Sequence, residues 1–388
     1  MQTLPTWSLR GRTLLPVVQG GMGVGISAHR LAGSVAKLGA MGTISSVDLR
    51  QHHPDLLAQG TGTRDKDLLD RLNLVALDRE IKAALALAEG RGAIAVNVMK
   101  AVGAHGPQVR QSCESGAHAI VMGAGLPLDL PEMTADFPDV ALVPILSEPR
   151  GVNIVLRKWM RKNRLPDAIV VEHPGFAGGH LGATKLDEVG DHRFDFPLVL
   201  EGIFEVFDKL GIAREAIPII VAGGIHTHEQ VLELLGMGAR AVQLGTAFAV
   251  STEGDAHANF KRVLAEATPE DIVTFMSVAG LPARAVRTPW LQKYLTREKA
   301  LQSHAKADPR RCVPGLQCLT VCGLRDGISS AGQFCILTRL GDALHGDVKK
   351  GIFFRGSEPL PFGSAIRPVK ELVDFLLTGH RGEGGSPA

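Results

Sequence analysis

Ile219-Ile220-Val221-Ala222-Gly223-Gly224-Ile225, followed one unit later by Ala241-Val242-Gln243-Leu244-Gly245-Thr246, is the stretch on which the fold turns. Each half is an apolar run without strict alternation that ends in glycine. Strands buried on both faces of a parallel sheet have this pattern. Six runs of the same kind precede them, at residues 14–19, 40–45, 93–98, 119–122, 140–145 and 168–172; with 217–222 and 241–244 they make eight. Helical candidates alternate with them at 28–38, 77–88, 108–115, 152–160, 198–210 and 228–235. Eight βα units in about 250 residues predict an α/β fold of the (β/α)8 TIM barrel type. A doubly wound sheet is the alternative, weakened by the lack of a GxGxxG strand-to-helix turn near the start.

The barrel takes residues 1–250 of the 388. Residues 251–306 are expected to form a helical lid segment, interrupted near Gly280-Leu281-Pro282. Residues 307–388 are expected to form a cysteine-rich C-terminal extension whose last helix, 369–377, packs back on the barrel. Two polar stretches, 49–76 and 173–197, read as a surface excursion and a long loop. Apolar residues at 45% supply a core, and 42 Lys+Arg against 40 Asp+Glu leave a net charge of +2. That balance argues against a general nucleic-acid binder, which needs clustered positive charge. No run of 18 apolar residues predicts a membrane span, and residues 1–13 lack a signal-peptide apolar region, so a cytoplasmic location is expected. Five cysteines in this length exclude a disulfide-stapled secreted module.

Glycines mark where the chemistry belongs. In barrels the loops after the seventh and eighth strands often hold a phosphate on backbone N–H groups, so Gly223, Gly224, Gly245 and Thr246 are candidates for one. The run Gln19-Gly20-Gly21-Met22-Gly23 lets a flat ring approach the chain, with Met22 as an apolar contact, and Asn97 ends the third strand with an amide able to meet a heterocycle edge. After the sixth strand comes Glu172-His173-Pro174-Gly175-Phe176-Ala177-Gly178-Gly179-His180-Leu181-Gly182. His180 in this glycine-rich loop is the candidate catalytic acid–base group. His226 and His228 read as the start of a helix, since no third ligand makes them a zinc site.

These motifs, with Val278-Ala279-Gly280-Leu281-Pro282-Ala283-Arg284, give the chain a resemblance to a known family. It resembles the nitronate monooxygenase / 2-nitropropane dioxygenase family of FMN-binding TIM barrels, related to flavin-dependent enoyl-ACP reductases, over about residues 14–290. The resemblance implies an FMN-dependent oxidoreductase with phosphate at Gly223, Gly224, Gly245 and Thr246. It implies an isoalloxazine near Gly21, Met22, Asn97 and Glu172, with Gln19, Gly20, Gly178, Gly179, Ala222 and Gln243 in the matching motifs. His180 matches the family histidine credited with substrate binding or proton abstraction. The implied reaction is oxidation of alkyl nitronates with O2. The alternatives are an NAD(P)H-dependent enoyl-thioester (enoyl-ACP or enoyl-CoA) reductase and a non-catalytic flavin-binding protein. The substrate is a small molecule, and a homodimer is compatible with the family.

The cysteines depart from that pattern. Cys312, Cys318, Cys322 and Cys335 are spaced x5, x3 and x12. Four thiolates within so short a stretch suit a 4Fe-4S cluster, which would favour the reductase; zinc and uncoordinated thiols are the other readings. Cys113 reads as a core or surface thiol. The basic groups Arg157-Lys158, Arg161-Lys162-Arg164 and Lys349-Lys350 read as solvated faces, with the group at 157–164 the candidate surface for an acyl carrier protein or CoA phosphates.

Overall fold

The computed structural model describes residues 4–381. The last residues of the expected C-terminal extension, 382–388, and the first three of the barrel segment lie outside the described residues. Eight parallel strands close into a barrel in sequence order. They are β1 (Val17–Gln19), β2 (Met41–Ser45), β3 (Ala93–Met99), β4 (Ala119–Gly123), β5 (Ala141–Leu146), β6 (Ile169–Glu172), β7 (Ile219–Ala222) and β8 (Ala241–Leu244). All eight expected runs are strands. The run at 14–19 is shared, because Arg12–Leu14 pairs with Trp7–Leu9 in a separate antiparallel hairpin.

Side chains alternate between two cores, as the two-residue period of a strand requires. Val18, Met41, Ala93, Ala95, Val121, Val143, Val170, Ile220 and Ala241 fill the barrel interior, together with Trp7, Leu9 and Leu14 of the hairpin. Ile44, Ile94, Val96, Ile120, Leu142, Ile169, Ile219, Val221 and Val242 face the surrounding helices. Helix α1 (His29–Lys37) presents Leu31, Ala32, Val35 and Ala36 to this outer layer. It lies so close to β2 that a Cβ on Gly42 would stand 2.0 Å from the Ala32 carbonyl oxygen. Gly42→Ala must push helix and strand apart. The expected result is a loss of about 3 kcal/mol of unfolding free energy, the upper part of the overpacking range; urea titration checks it.

The segment 49–76 is not an irregular excursion. It holds the 3-10 turn Leu49–His52, a helix Pro54–Gly60 and the first half of the 23-residue helix α2 (Lys66–Ala88). Asp65 caps α2 by accepting from the Leu68 amide at 3.0 Å. The polar residues that hid this helix serve its buried face. Asn73 donates to the Ser46 carbonyl at 3.0 Å and accepts from the Leu49 amide at 2.8 Å. Glu80, 1% exposed, meets His29 Nδ1 at 2.7 Å and His53 Nε2 at 2.9 Å.

The expected helical lid at 251–306, interrupted near Gly280-Leu281-Pro282, is corrected in part, since strands flank that interruption. After the helix Ala258–Glu266 comes an antiparallel hairpin of β9 (Ile272–Met276) and β10 (Pro282–Val286), before short helices at Pro289–Leu295 and Glu298–Ser303. Gly280, at φ +73°, turns that hairpin, and the Ser277 amide donates to the Leu281 carbonyl at 2.9 Å. β10 also pairs with β11 (Phe353–Phe354) and with the two residues Gly179–His180 of the long loop after β6.

The cysteine-bearing segment is not a separate extension. Leu319, Cys322, Leu324, Phe334, Ile336, Leu337 and Ile352 share one core with Val24, Val47 and Val102 of the barrel loops and with Phe275, Ala283 and Ala285 of the hairpin. Gln317 reaches Asp70 at 2.8 Å and Gln108 at 3.0 Å. Helix α3 (Ile336–Leu344) and helix α4 (Val369–Thr378) complete the cap, α4 close to its expected span. His228 Nδ1 donates to the Leu376 carbonyl at 2.8 Å and ties α4 to the barrel. Among the described residues no helix is long and apolar enough to cross a membrane.

Candidate active site

The strand period that fills the barrel also decides what stands at its mouth. Counting up by twos from the interior residues, the top inward positions are Ser45, Asn97, Gly123, Ile145, Glu172, Ala222 and Gln243. All seven line one cavity of about 670 Å3 at the C-terminal ends of the strands. The cavity also takes in Gly20, Gly21, Met22, Gly178, Gly179, His180, Gly223, Gly224, Gly245 and Thr246. Thus one space brings together every residue the sequence pointed to around the flavin, save one.

That one is Gln19. Its Oε1 accepts from the Thr43 amide at 2.8 Å and its Nε2 donates to the Thr43 carbonyl at 3.1 Å. Backbone register between β1 and β2 is given by a single pair, Val18 with Met41. The side-chain amide continues that ladder where the backbones part, so its polar atoms are committed to the barrel seam and do not line the cavity.

Glycine is required at specific points of the rim. A Cβ on Gly21 would stand 2.4 Å from the Asn97 Cβ, so the β1 loop lies directly on Asn97. Gly223 and Gly224 have φ of +105° and +78°, conformations that ordinary side chains rarely adopt. At Gly224 a Cβ would also meet the Phe176 ring at 2.9 Å. Thr246 Oγ1 accepts from the Gly356 amide at 3.1 Å, which leaves its own hydroxyl proton free to be donated. A cradle closed to a Cβ at Gly21 and Gly224, with backbone N–H groups at the ends of β7 and β8, fits a phosphate-bearing ring cofactor such as FMN.

His180 is held rather than mobile. It pairs with Ala283 of β10, the following Leu181 amide donates to the Pro282 carbonyl at 2.9 Å, and its ring meets Phe354 edge-on at 5.7 Å. Its Nε2 is buried and has no hydrogen-bond partner. Burial pushes its pKa down to about 4, so the ring is neutral at pH 7 and open to a ligand proton. Burial acts on Glu172 in the opposite sense and pushes its carboxyl up to about 7. The neighbouring His173 points elsewhere: its Nδ1 accepts from the Gly175 amide at 3.0 Å and its Nε2 lies 3.5 Å from Asp195.

The C-terminal cap supplies the wall that local sequence patterns did not announce. Ile336, Leu337 and Leu340 of α3, with Phe354, Gly356 and Glu358, line the same cavity. Among the described residues no group of three or more His, Cys, Asp or Glu side chains is arranged to hold a metal ion, which corrects the expected 4Fe-4S ligation by Cys312, Cys318, Cys322 and Cys335. The thiols are neighbours, since Cys312 is raised by burial and then by the other three. Cys318 Sγ accepts from Arg325 at 3.3 Å, Cys322 is buried at a helix start, and Cys335 precedes α3. Arg325 does the folding work expected of a cluster, donating to the Leu319 and Thr320 carbonyls at 2.8 and 2.7 Å. Cys113 is a buried thiol, raised by burial to about 12. In the basic group at 157–164, Lys162 pairs with Glu132, and Arg164 with Asp167 at 2.6 Å, so two of its charges are committed within the chain.

The family model described as nitronate monooxygenase matches residues 11–379. A probable nitronate monooxygenase of Bacillus subtilis is 26% identical over 304 residues, covering 72% of this chain and 78% of the relative. A probable nitronate monooxygenase of Staphylococcus saprophyticus is 27% identical over 125 residues, 32% of this chain and 33% of the relative. Among solved structures, FabK from Thermotoga maritima superposes with a TM-score of 0.62 at 21% identity, covering 93% of this chain and 91% of that one. Nitroalkane oxidase from Streptomyces ansochromogenes gives 0.63 at 20% identity, covering 93% and 94%. At these identities the two structures show a shared fold.

Proposed function

We propose that this chain, which belongs to the nitronate monooxygenase family and is by that membership an FMN-dependent oxidoreductase, oxidises alkyl nitronates with dioxygen. The observation that carries the reading is His180 Nε2, buried, unpartnered and set in the wall of a glycine-rimmed cavity. A polar atom in that position is satisfied by a ligand or left at a cost. Bound FMN supplies the electron-accepting chemistry. Gly223, Gly224, Gly245 and Thr246 would hold its phosphate, and Gly21, Met22 and Asn97 would receive its ring.

The protein's own part is to orient, to exclude water and to manage a proton. The neutral His180 imidazole accepts a proton from the carbon beside a nitro group, or donates its N–H to the nitronate already formed. The apolar wall of α3 and Phe354 keeps bulk water from the reacting carbon. The absence of a metal-holding group among the described residues removes the argument that a cluster favoured the reductase.

The test is a pair of assays on the purified, FMN-loaded protein. Oxygen uptake driven by a nitronate, without bleaching of the flavin by NAD(P)H, is the expected result. Rapid NAD(P)H bleaching reversed by an enoyl thioester, without nitronate turnover, overturns it in favour of the reductase.

A further inference from the structure

Glu172 is the single acidic residue among the top inward positions of the barrel, at the end of β6 beside Ala222. Its parity with Val170 turns the carboxyl into the cavity, and it lines that cavity with His180. No described residue forms a hydrogen bond or ion pair with it; burial alone displaces its titration. A half-buried carboxyl that faces the cavity and meets no donor of the chain is placed for something that enters.

The charged groups on the cavity wall and the adjoining loop have partners of their own. Glu148 and Glu358 share the cavity wall. The first lies 3.9 Å from Arg193, and the second accepts from Ser357 at 3.2 Å. His173 faces Asp195, and Arg284 of β10 gives its protons to the Pro174 and Ala177 carbonyls. His180 is neutral above about pH 4.

We infer that Glu172 works as a neutral carboxylic acid that donates a hydrogen bond to a planar anionic substrate, so that anion binding requires its proton in place. This rests on the nitronate reading, and it assigns the site a substrate class, a small oxyanion of carboxylate-like shape. An ionised Glu172 repels such an anion in a site with little water; a protonated one gives it a donor. The sign follows. The raised pKa of about 7 means the proton is present below that value and lost above it, so affinity falls tenfold per pH unit above about 7.

Propionate has the shape and charge of a nitronate and cannot be oxidised by the same route, so it serves as the probe. Its binding to the FMN-loaded protein is read from the perturbed flavin absorbance between pH 5.5 and 9. The wild type is expected to bind with an affinity that is level below about pH 6 and about 100-fold weaker at pH 9 than on that plateau. In Glu172→Gln the amide still donates but does not titrate, so the profile is expected to be flat. A level wild-type profile, no saturable binding at pH 6, or a slope kept by E172Q overturns the inference. An infrared pH titration of the wild-type holoenzyme gives a second check free of any variant. A protonated-carboxyl C=O band lost through about pH 7 supports the inference, and its absence at pH 6 overturns it. Failure of the nitronate reading has a different signature: no nitronate turnover at any pH while propionate still titrates.

Discussion

His180→Ala is expected to lower kcat/KM for the nitro substrate by about 10²- to 10⁴-fold, the usual worth of a positioned acid–base group, and to leave the flavin bound. The two halves of this result come from different parts of the cavity. Flavin retention is expected from the ends of β7 and β8, where Gly223 and Gly224 hold left-handed conformations and Thr246 is fixed by the Gly356 amide. None of those contacts involves the His180 ring. The loss of rate rests on Nε2, whose only available partner is whatever occupies the cavity. With its pKa pushed down to about 4, the ring is neutral throughout the neutral range and is expected to enter the reaction as a base. An anionic nitronate beside it raises that pKa, which is the driving force for taking the proton from the neutral nitroalkane. The deficit is therefore expected to be larger with the nitroalkane, which must be deprotonated, than with the preformed nitronate. Steady-state oxygen uptake with each, alongside the flavin absorbance of the purified variant, checks this. Loss of flavin, or equal deficits with both substrates, would remove His180 from the proton-transfer role.

How far the sequence carried the reading is set by where each element finds its partners. The eight strands were legible because a barrel strand is buried on both faces and so shows as an apolar run. Gly223 and Gly224 were legible because positive φ leaves few other choices, and Gly21 because a Cβ there would collide with Asn97. Helix α2 was half hidden because Asn73 and Glu80 look like surface residues until Ser46, Leu49, His29 and His53 arrive from elsewhere in the chain. The cap was illegible for the same reason in stronger form. β10 pairs with a two-residue strand at Gly179–His180 and with Phe353–Phe354, pieces too short to carry a pattern of their own. The cysteine spacing misled because the nearness of thiols in sequence says nothing of the guanidinium that accompanies them; Arg325 donates to Cys318 Sγ at 3.3 Å and pairs with Asp326.

That same pairing of β10 with the long loop leads to the second large effect, at Arg284. Arg284 is 6% exposed, and its Nη1 donates to the Pro174 carbonyl at 3.1 Å and to the Ala177 carbonyl at 2.5 Å. Among the described residues no carboxylate pairs with it within ion-pair distance, and burial lowers its pKa. A buried cation kept without an ion-pair partner is costly, and here its yield is positional: the clamp fixes the loop that turns from Glu172 into Gly179–His180. Arg284→Met keeps most of the stem packing while leaving two buried carbonyls without a donor, a cost of about 1–3 kcal/mol each. The loop is expected to relax away from β10 and carry the His180 ring with it. A misplacement of about 1 Å at a proton-transferring group costs about 10²-fold in rate. The fall is therefore expected in kcat, about 100-fold, with little change in flavin affinity. Arg284→Lys, able to reach one carbonyl but not both, is expected to recover part of it. Thermal unfolding separates this from a merely structural role. A lowered melting temperature with kcat intact would mean that the clamp serves stability alone, whereas a kcat loss graded across Met and Lys ties it to the placement of His180.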